Sequence, residues 1–212
     1  MLFRSSIKQL PDWRGVWQPL DAKGAKAEYA VKPALSQGWT KRFDELKVLA
    51  DAGKTIPSRT NNCVTRGAPG GMYDPMALIE FYYAPKRVIV ADHTGWSRRI
   101  YTDGRKHENL VDTFQGDSIG HWENGTLVAD TEALDLNNEF LVGLNLGEKS
   151  HVVERLFLTE PNTLQIDTTI DAPQSLTAAY SRTTHYRRHQ DWMMTEYDCV
   201  FDNLDTNRAI VR

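Results

Sequence analysis

From Ala77 onwards the chain alternates short runs rich in β-branched and aromatic residues with turn-forming residues, and this alternation limits the fold more than any other feature. The runs are "ALIEFYYA", "RVIVADHT", "SRRIYTD", "SIGHWEN", "TLVADTEAL", "HVVERLFL", "NTLQIDTTI", "SRTTHYRR" and "MMTEYDCVF". Each is too short for a helix and has the composition of a strand. Asp103-Gly104, Asn124-Gly125 and Pro161-Asn162 fall between runs, and the first two are favoured dipeptides of tight hairpin turns. The pattern predicts a mainly β, antiparallel meander of about nine strands, for which closure into a barrel removes exposed edges. A two-sheet sandwich is the competing architecture.

The N-terminal third reads differently. Residues 40–52, "TKRFDELKVLADA", put Phe43, Leu46 and Leu49 on one helical face, with Thr40 as a cap and Gly53 as the stop. Residues 54–75 are rich in Gly, Pro, Asn and Ser and read as a long irregular connection. With 212 residues and no linker, the chain is expected to form one domain over 1–212, in which 1–75 supply a strand, the helix and that connection. A formal net charge of -3 lacks the basic footprint required for nucleic acid or anionic lipid. The expected partner is a small molecule, with neither nucleic acid nor membrane, and homo-oligomerisation is left open. The opening "MLFRSSIKQLPDW" has too short an apolar core for a secretory signal, so the chain as written reads as cytoplasmic, or as periplasmic or secreted if a signal has been removed. Cys63 and Cys199 allow either one disulfide or two buried thiols.

Two resemblances sharpen the fold expectation. Gly15-Val16-Trp17 in "PDWRGVWQPL" resembles the Gly-x-Trp of the first strand of lipocalins and other calycin barrels. There the tryptophan closes one barrel end beneath a basic residue of the last strand, a part that Arg187 or Arg188 would play here through cation–π contact. More broadly, "RRIYTDGRKH", "GDSIGHWENGTLVADT", "HVVER", "NTLQIDTTIDAP" and "EYDC" resemble a bacterial family of mostly exported, functionally uncharacterised β-rich proteins over roughly residues 13–200. The chain departs from that family's pattern at Glu108, where proline is usual, and at Asn124. The resemblances imply a lipocalin-like, calycin-type barrel with one N-terminal helix; they imply no reaction.

Strand alternation then sorts the ionisable residues by face. Arg99, Tyr101 and Asp103 share one face of "SRRIYTD", and Arg98 and Ile100 the other. In "HVVERLFL", His151, Val153 and Arg155 oppose Val152, Glu154 and Leu156. Either the polar face is solvated, or the barrel encloses a polar pocket. Arginine, tyrosine and histidine beside a carboxylate supply anion binding, proton transfer and orientation together, which favours the pocket. His93, His107, His121 and His151 each lie on or beside a strand, with Asp92, Asp103, Asp130 and Glu154 as candidate partners. The catalytic candidates are Arg99, Tyr101, Asp103, His121 and His151; the substrate-binding candidates are Arg105, Trp122, Glu154, Tyr186 and Tyr197.

No metal or other cofactor is expected. His185 and His189 have helical spacing inside a strand, no His-Glu-x-x-His occurs, and no glycine-rich nucleotide loop is present, although a metal triad assembled from distant strands is left open. "GDSIG" matches a hydrolase nucleophile elbow, but that turn needs a following helix, whereas Ser118 leads into a hairpin. The functional expectation is a barrel-interior enzyme doing cofactor-independent acid–base chemistry, a lyase, isomerase or hydratase, on an apolar, oxygen-bearing substrate of aromatic or terpenoid-like type. There His121 or His151 moves the proton, Tyr101 donates to a developing oxyanion, Arg99 or Arg105 binds it, and Asp103 or Glu154 orients. The alternative is a lipocalin-like carrier or sensor of a small hydrophobic ligand.

Overall fold

The computed structural model describes residues 10–20, 24–74 and 77–195. Nine strands close a barrel: β1 (Val16–Pro19), β2 (Ile79–Ala84), β3 (Arg87–Asp92), β4 (Ser97–Tyr101), β5 (Asp117–Glu123), β6 (Thr126–Glu132), β9 (His151–Glu160), β10 (Thr163–Asp171) and β11 (Tyr180–His189). Around the wall the order is β1-β11-β10-β9-β6-β5-β4-β3-β2, and β2 pairs back with β1. A small hairpin of β7 (Glu139–Leu141) and β8 (Leu144–Asn145) stands outside the wall. Helix α1 (Gly24–Glu28) is short and was not expected; α2 (Gln37–Asp51) begins three residues before Thr40 and is preceded by Ser36. Residues 193–195 of the last expected strand are irregular, and its remainder, with Tyr197 and Cys199, lies outside the described residues.

Every wall pairing is antiparallel except β4–β5, which is parallel, with Ile100 beside Ser118 and Tyr101 beside Ile119. Parallel neighbours cannot be joined by a two-residue turn. Asp103-Gly104 therefore turns no hairpin, contrary to the sequence expectation; it starts a connection over residues 102–116 that returns along the outside of the barrel. Asn124-Gly125 and Pro161-Asn162 do turn hairpins, β5–β6 and β9–β10. The returning connection is pinned where Phe114 O accepts from Ala68 N at 2.7 Å and Asn138 Nδ2 at 2.8 Å, and where Thr113 exchanges backbone bonds with Ala133 and Asp135. Gly116, at φ +65°, turns it into β5 so close to β6 that a Cβ there would lie 2.7 Å from Glu132 O.

The inward faces carry Ile79, Phe81, Val88, Val90, Ile100, Leu127, Leu156, Leu164, Ile166 and Tyr186, which form one continuous core with Trp13 and Trp17. Gly15 enters β1 at φ +103°, against the backbone of His189. Arg188 lies over the Trp17 ring, 4.8 Å from its centroid, and ion-pairs with Asp12 at 3.4 Å. This is the aromatic–cation closure expected from the Gly-x-Trp pattern. Trp13 packs beside it against Phe81 and Trp122, so this barrel end is filled by aromatic rings.

The other end is capped by a second apolar cluster, in which Phe43 and Leu46 of α2, Phe140, Leu141 and Leu144 of the small hairpin, and Val152 and Ile170 of the wall pack together. Beneath this cap Arg66 is buried between Glu28, at 3.3 Å, and Glu139, at 3.6 Å, and Arg182 reaches Glu28 at 3.4 Å. Burial alone would raise the Glu28 carboxyl, but Arg66, Arg182 and the Val142 N–H outweigh it and hold it below its ordinary value. Among the described residues no helix is long and apolar enough to cross a membrane.

Candidate functional site

The two faces of β4 lead to two different polar clusters. Inward, Arg98 is almost wholly buried and places Nη1 2.5 Å from Glu154 Oε2, while donating Nε to Ser118 Oγ at 3.0 Å and Nη2 to Thr131 Oγ1 at 2.7 Å. Ser118 and Thr131 complete the ring of contacts at 3.0 Å. Tyr73 lies near this layer; burial, then the charge of Glu154, pushes its phenol well above the ordinary value. A buried ion pair of this kind, with the arginine also hydrogen-bonded to two hydroxyls, fixes one arrangement of the wall, because neither partner can be left alone. Beside it a cavity of about 20 Å³, room for roughly one water, touches Arg98, Met72 and Val90.

Outward, β4 and the returning connection border a cleft of about 510 Å³ lined by Trp96, Arg99, Tyr101, Phe114, Gln115 and Asp117. Trp96 and Phe114 meet edge to face at 5.9 Å, and Arg59 lies over the far aromatic ring at 4.3 Å. Arg98, Arg105 and Arg155 each have a carboxylate partner. Arg99 has none among the described residues and is exposed. Tyr101 is covered on one face by the Arg105 guanidinium, 3.7 Å from its centroid, and Arg105 in turn forks onto Asp103. That fork holds the Asp103 carboxyl at about 2.

Next to the cleft the connection lays His107 across the wall. Its Nδ1 is 2.6 Å from Asp117 of β5 and its Nε2 is 3.2 Å from Asp130 of β6. His151 of β9 contacts the same Asp130 oxygen at 2.8 Å. Burial disfavours the His107 imidazolium, but Asp117 and Asp130 outweigh burial and raise its pKa above the ordinary value.

The sequence candidates are thus divided. Arg99 and Tyr101 line the cleft; Asp103 and Arg105 form its neighbouring clamp. His151 belongs to the adjoining histidine–carboxylate cluster, whereas His121 lies further along β5, exposed and bound to Glu123 at 2.7 Å. Glu154 and Tyr186 are fully buried inside the barrel, and Trp122 packs against the aromatic plug. Tyr197 is outside the described residues. The structure therefore places Arg99, Tyr101 and Asp103 on the outer face, together, and not around an interior pocket with Glu154 and Tyr186. Sequence reasoning missed Arg98, Trp96, Phe114 and Asp117. For Arg98 the signal was present: it shares a face with Ile100, and an apolar neighbour two residues away marks the inward side.

No family model matches the chain. No curated protein matches it either.

Proposed function

We propose that this barrel binds a small anionic molecule with an aromatic or otherwise planar body, and that it does so in the outer cleft. The observation that carries this reading is Arg99, a guanidinium with no carboxylate partner among the described residues, facing a cleft walled by Trp96 and Phe114. A guanidinium matches a carboxylate or phosphate in two parallel bonds, and aromatic edges supply the apolar body of the site. This is the carrier-or-sensor reading, moved from the barrel interior to its wall. Acid–base turnover receives less support, because both ring nitrogens of His107 are engaged by carboxylates and His121 lies away from the cleft.

The kinship with exported bacterial proteins belongs to the same proposal. Its support is Cys63, which is disulfide-bonded, a state that oxidising compartments such as the periplasm preserve.

The test is a matched pair of probes, naphthalene-2-carboxylate and the neutral naphthalene-2-methanol, titrated into the wild type and Arg99→Ala. The carboxylate is expected to bind at least about tenfold more tightly than the alcohol, and Arg99→Ala to erase that preference, the difference of one charge-assisted contact. Its thermal midpoint is expected to stay within the small range typical of exposed substitutions. Equal affinity of the wild type for both probes would refute the proposal.

A further inference from the structure

The geometry points to a divalent-cation site on the outer wall, formed by His107 Nε2 and the carboxylates of Asp130 and Glu132, with zinc as the cation it suits. Donor atoms from these three residues all lie within 4.8 Å of one another. His107 Nε2 and Asp130 Oδ1 lie 3.2 Å apart, close to the roughly 3.3 Å that separates two ligands of one tetrahedral zinc. One imidazole and two carboxylates form a mixed nitrogen–oxygen set, which suits zinc better than calcium.

Two further features distinguish this group from a chance surface cluster. Asp117 takes His107 Nδ1 at 2.6 Å, which fixes the ring and aims Nε2 at Asp130, and His151 holds Asp130 from the other side at 2.8 Å. Two of the three expected ligands are thus already oriented by neighbours, the arrangement that supports metal-bound histidines and carboxylates. Register gives the second feature. Asp117 and Glu132 are direct cross-strand partners on the same outward face of β5 and β6. Two carboxylates opposite each other repel, and a cation held by Glu132 beside Asp117 lowers that cost. Three protein ligands would leave a coordination position open to solvent. The inference is independent of Arg99, although Asp117 borders both the cleft and this cluster.

The experiment is calorimetric titration of zinc chloride into metal-stripped full-length protein: wild type, Glu132→Gln, His107→Gln and Arg99→Ala. Glu132→Gln is the informative variant, because Glu132 makes none of the hydrogen bonds that seat His107, and far-UV circular dichroism would verify its fold. One zinc per chain is expected in the wild type and in Arg99→Ala, with affinity at least about tenfold weaker in Glu132→Gln and in His107→Gln. Absence of saturable zinc binding to the wild type overturns the site, and so does a loss smaller than tenfold in a folded Glu132→Gln protein. Because Arg99→Ala is expected to keep zinc and lose the carboxylate preference, failure of the cleft and failure of the metal site are separately visible.

Discussion

Arg98 and Arg99 are adjacent in sequence and differ in everything that follows from facing opposite sides of a strand. Arg98 is 4 % exposed and spends its guanidinium on Glu154, Ser118 and Thr131; Arg99 faces the cleft and spends its charge on nothing among the described residues. The inward pair is structural by this account. Removing one partner strands a charge in a low-dielectric interior, so Arg98→Met is expected to cost about 3–5 kcal/mol in urea unfolding. In Arg98→Met/Glu154→Gln the stranded charge is gone, and recovery of at least half of that loss is expected. Additive losses in the double variant would mean that the two side chains do not act as a unit.

At the scale of elements, the decisive feature is the connection over residues 102–116, because it makes β4 and β5 parallel and builds one wall of the cleft. It depends on the tight entry at Gly116, where a side chain would meet both an unfavourable backbone region and the carbonyl of Glu132. Gly116→Ala is expected to destabilise the protein by about 1–3 kcal/mol in thermal unfolding, the range of overpacked sites. A neutral effect would show that this entry can relax. The same element explains the limits of the sequence reading. Eight of the nine expected runs, the Asn124-Gly125 turn and the Trp17–Arg188 closure were legible, since each follows from local alternation, a dipeptide preference or a motif with known packing; the short β7–β8 strands carry no such alternation and were not. Asp103-Gly104 was misleading because local turn chemistry does not specify which strand the chain meets next. The joining of His107, Asp117 and Asp130 is likewise set by that long return path, and no spacing along the sequence encodes it.

The whole molecule places its polar chemistry where a closed barrel leaves room for it. One end is filled by Trp13, Trp17 and Trp122, the other is capped by α2 and the β7–β8 hairpin over a buried ion-pair layer, and the interior candidates Glu154 and Tyr186 are consumed by packing. The outer wall of β4, β5 and β6 instead carries a cleft, an arginine without a carboxylate partner among the described residues, and a histidine–carboxylate cluster. The central claim is therefore that ligands meet this barrel on its wall. Tryptophans report on the two alternatives independently, since Trp96 lines the cleft whereas Trp17 and Trp122 belong to the interior. The most direct measurement is the shift of the indole N–H resonances in an ¹⁵N-labelled protein on titration with naphthalene-2-carboxylate. Binding at the wall gives a saturable shift of the Trp96 resonance with Trp17 and Trp122 unmoved; shifts at Trp17 and Trp122 with Trp96 unmoved would return the site to the barrel interior.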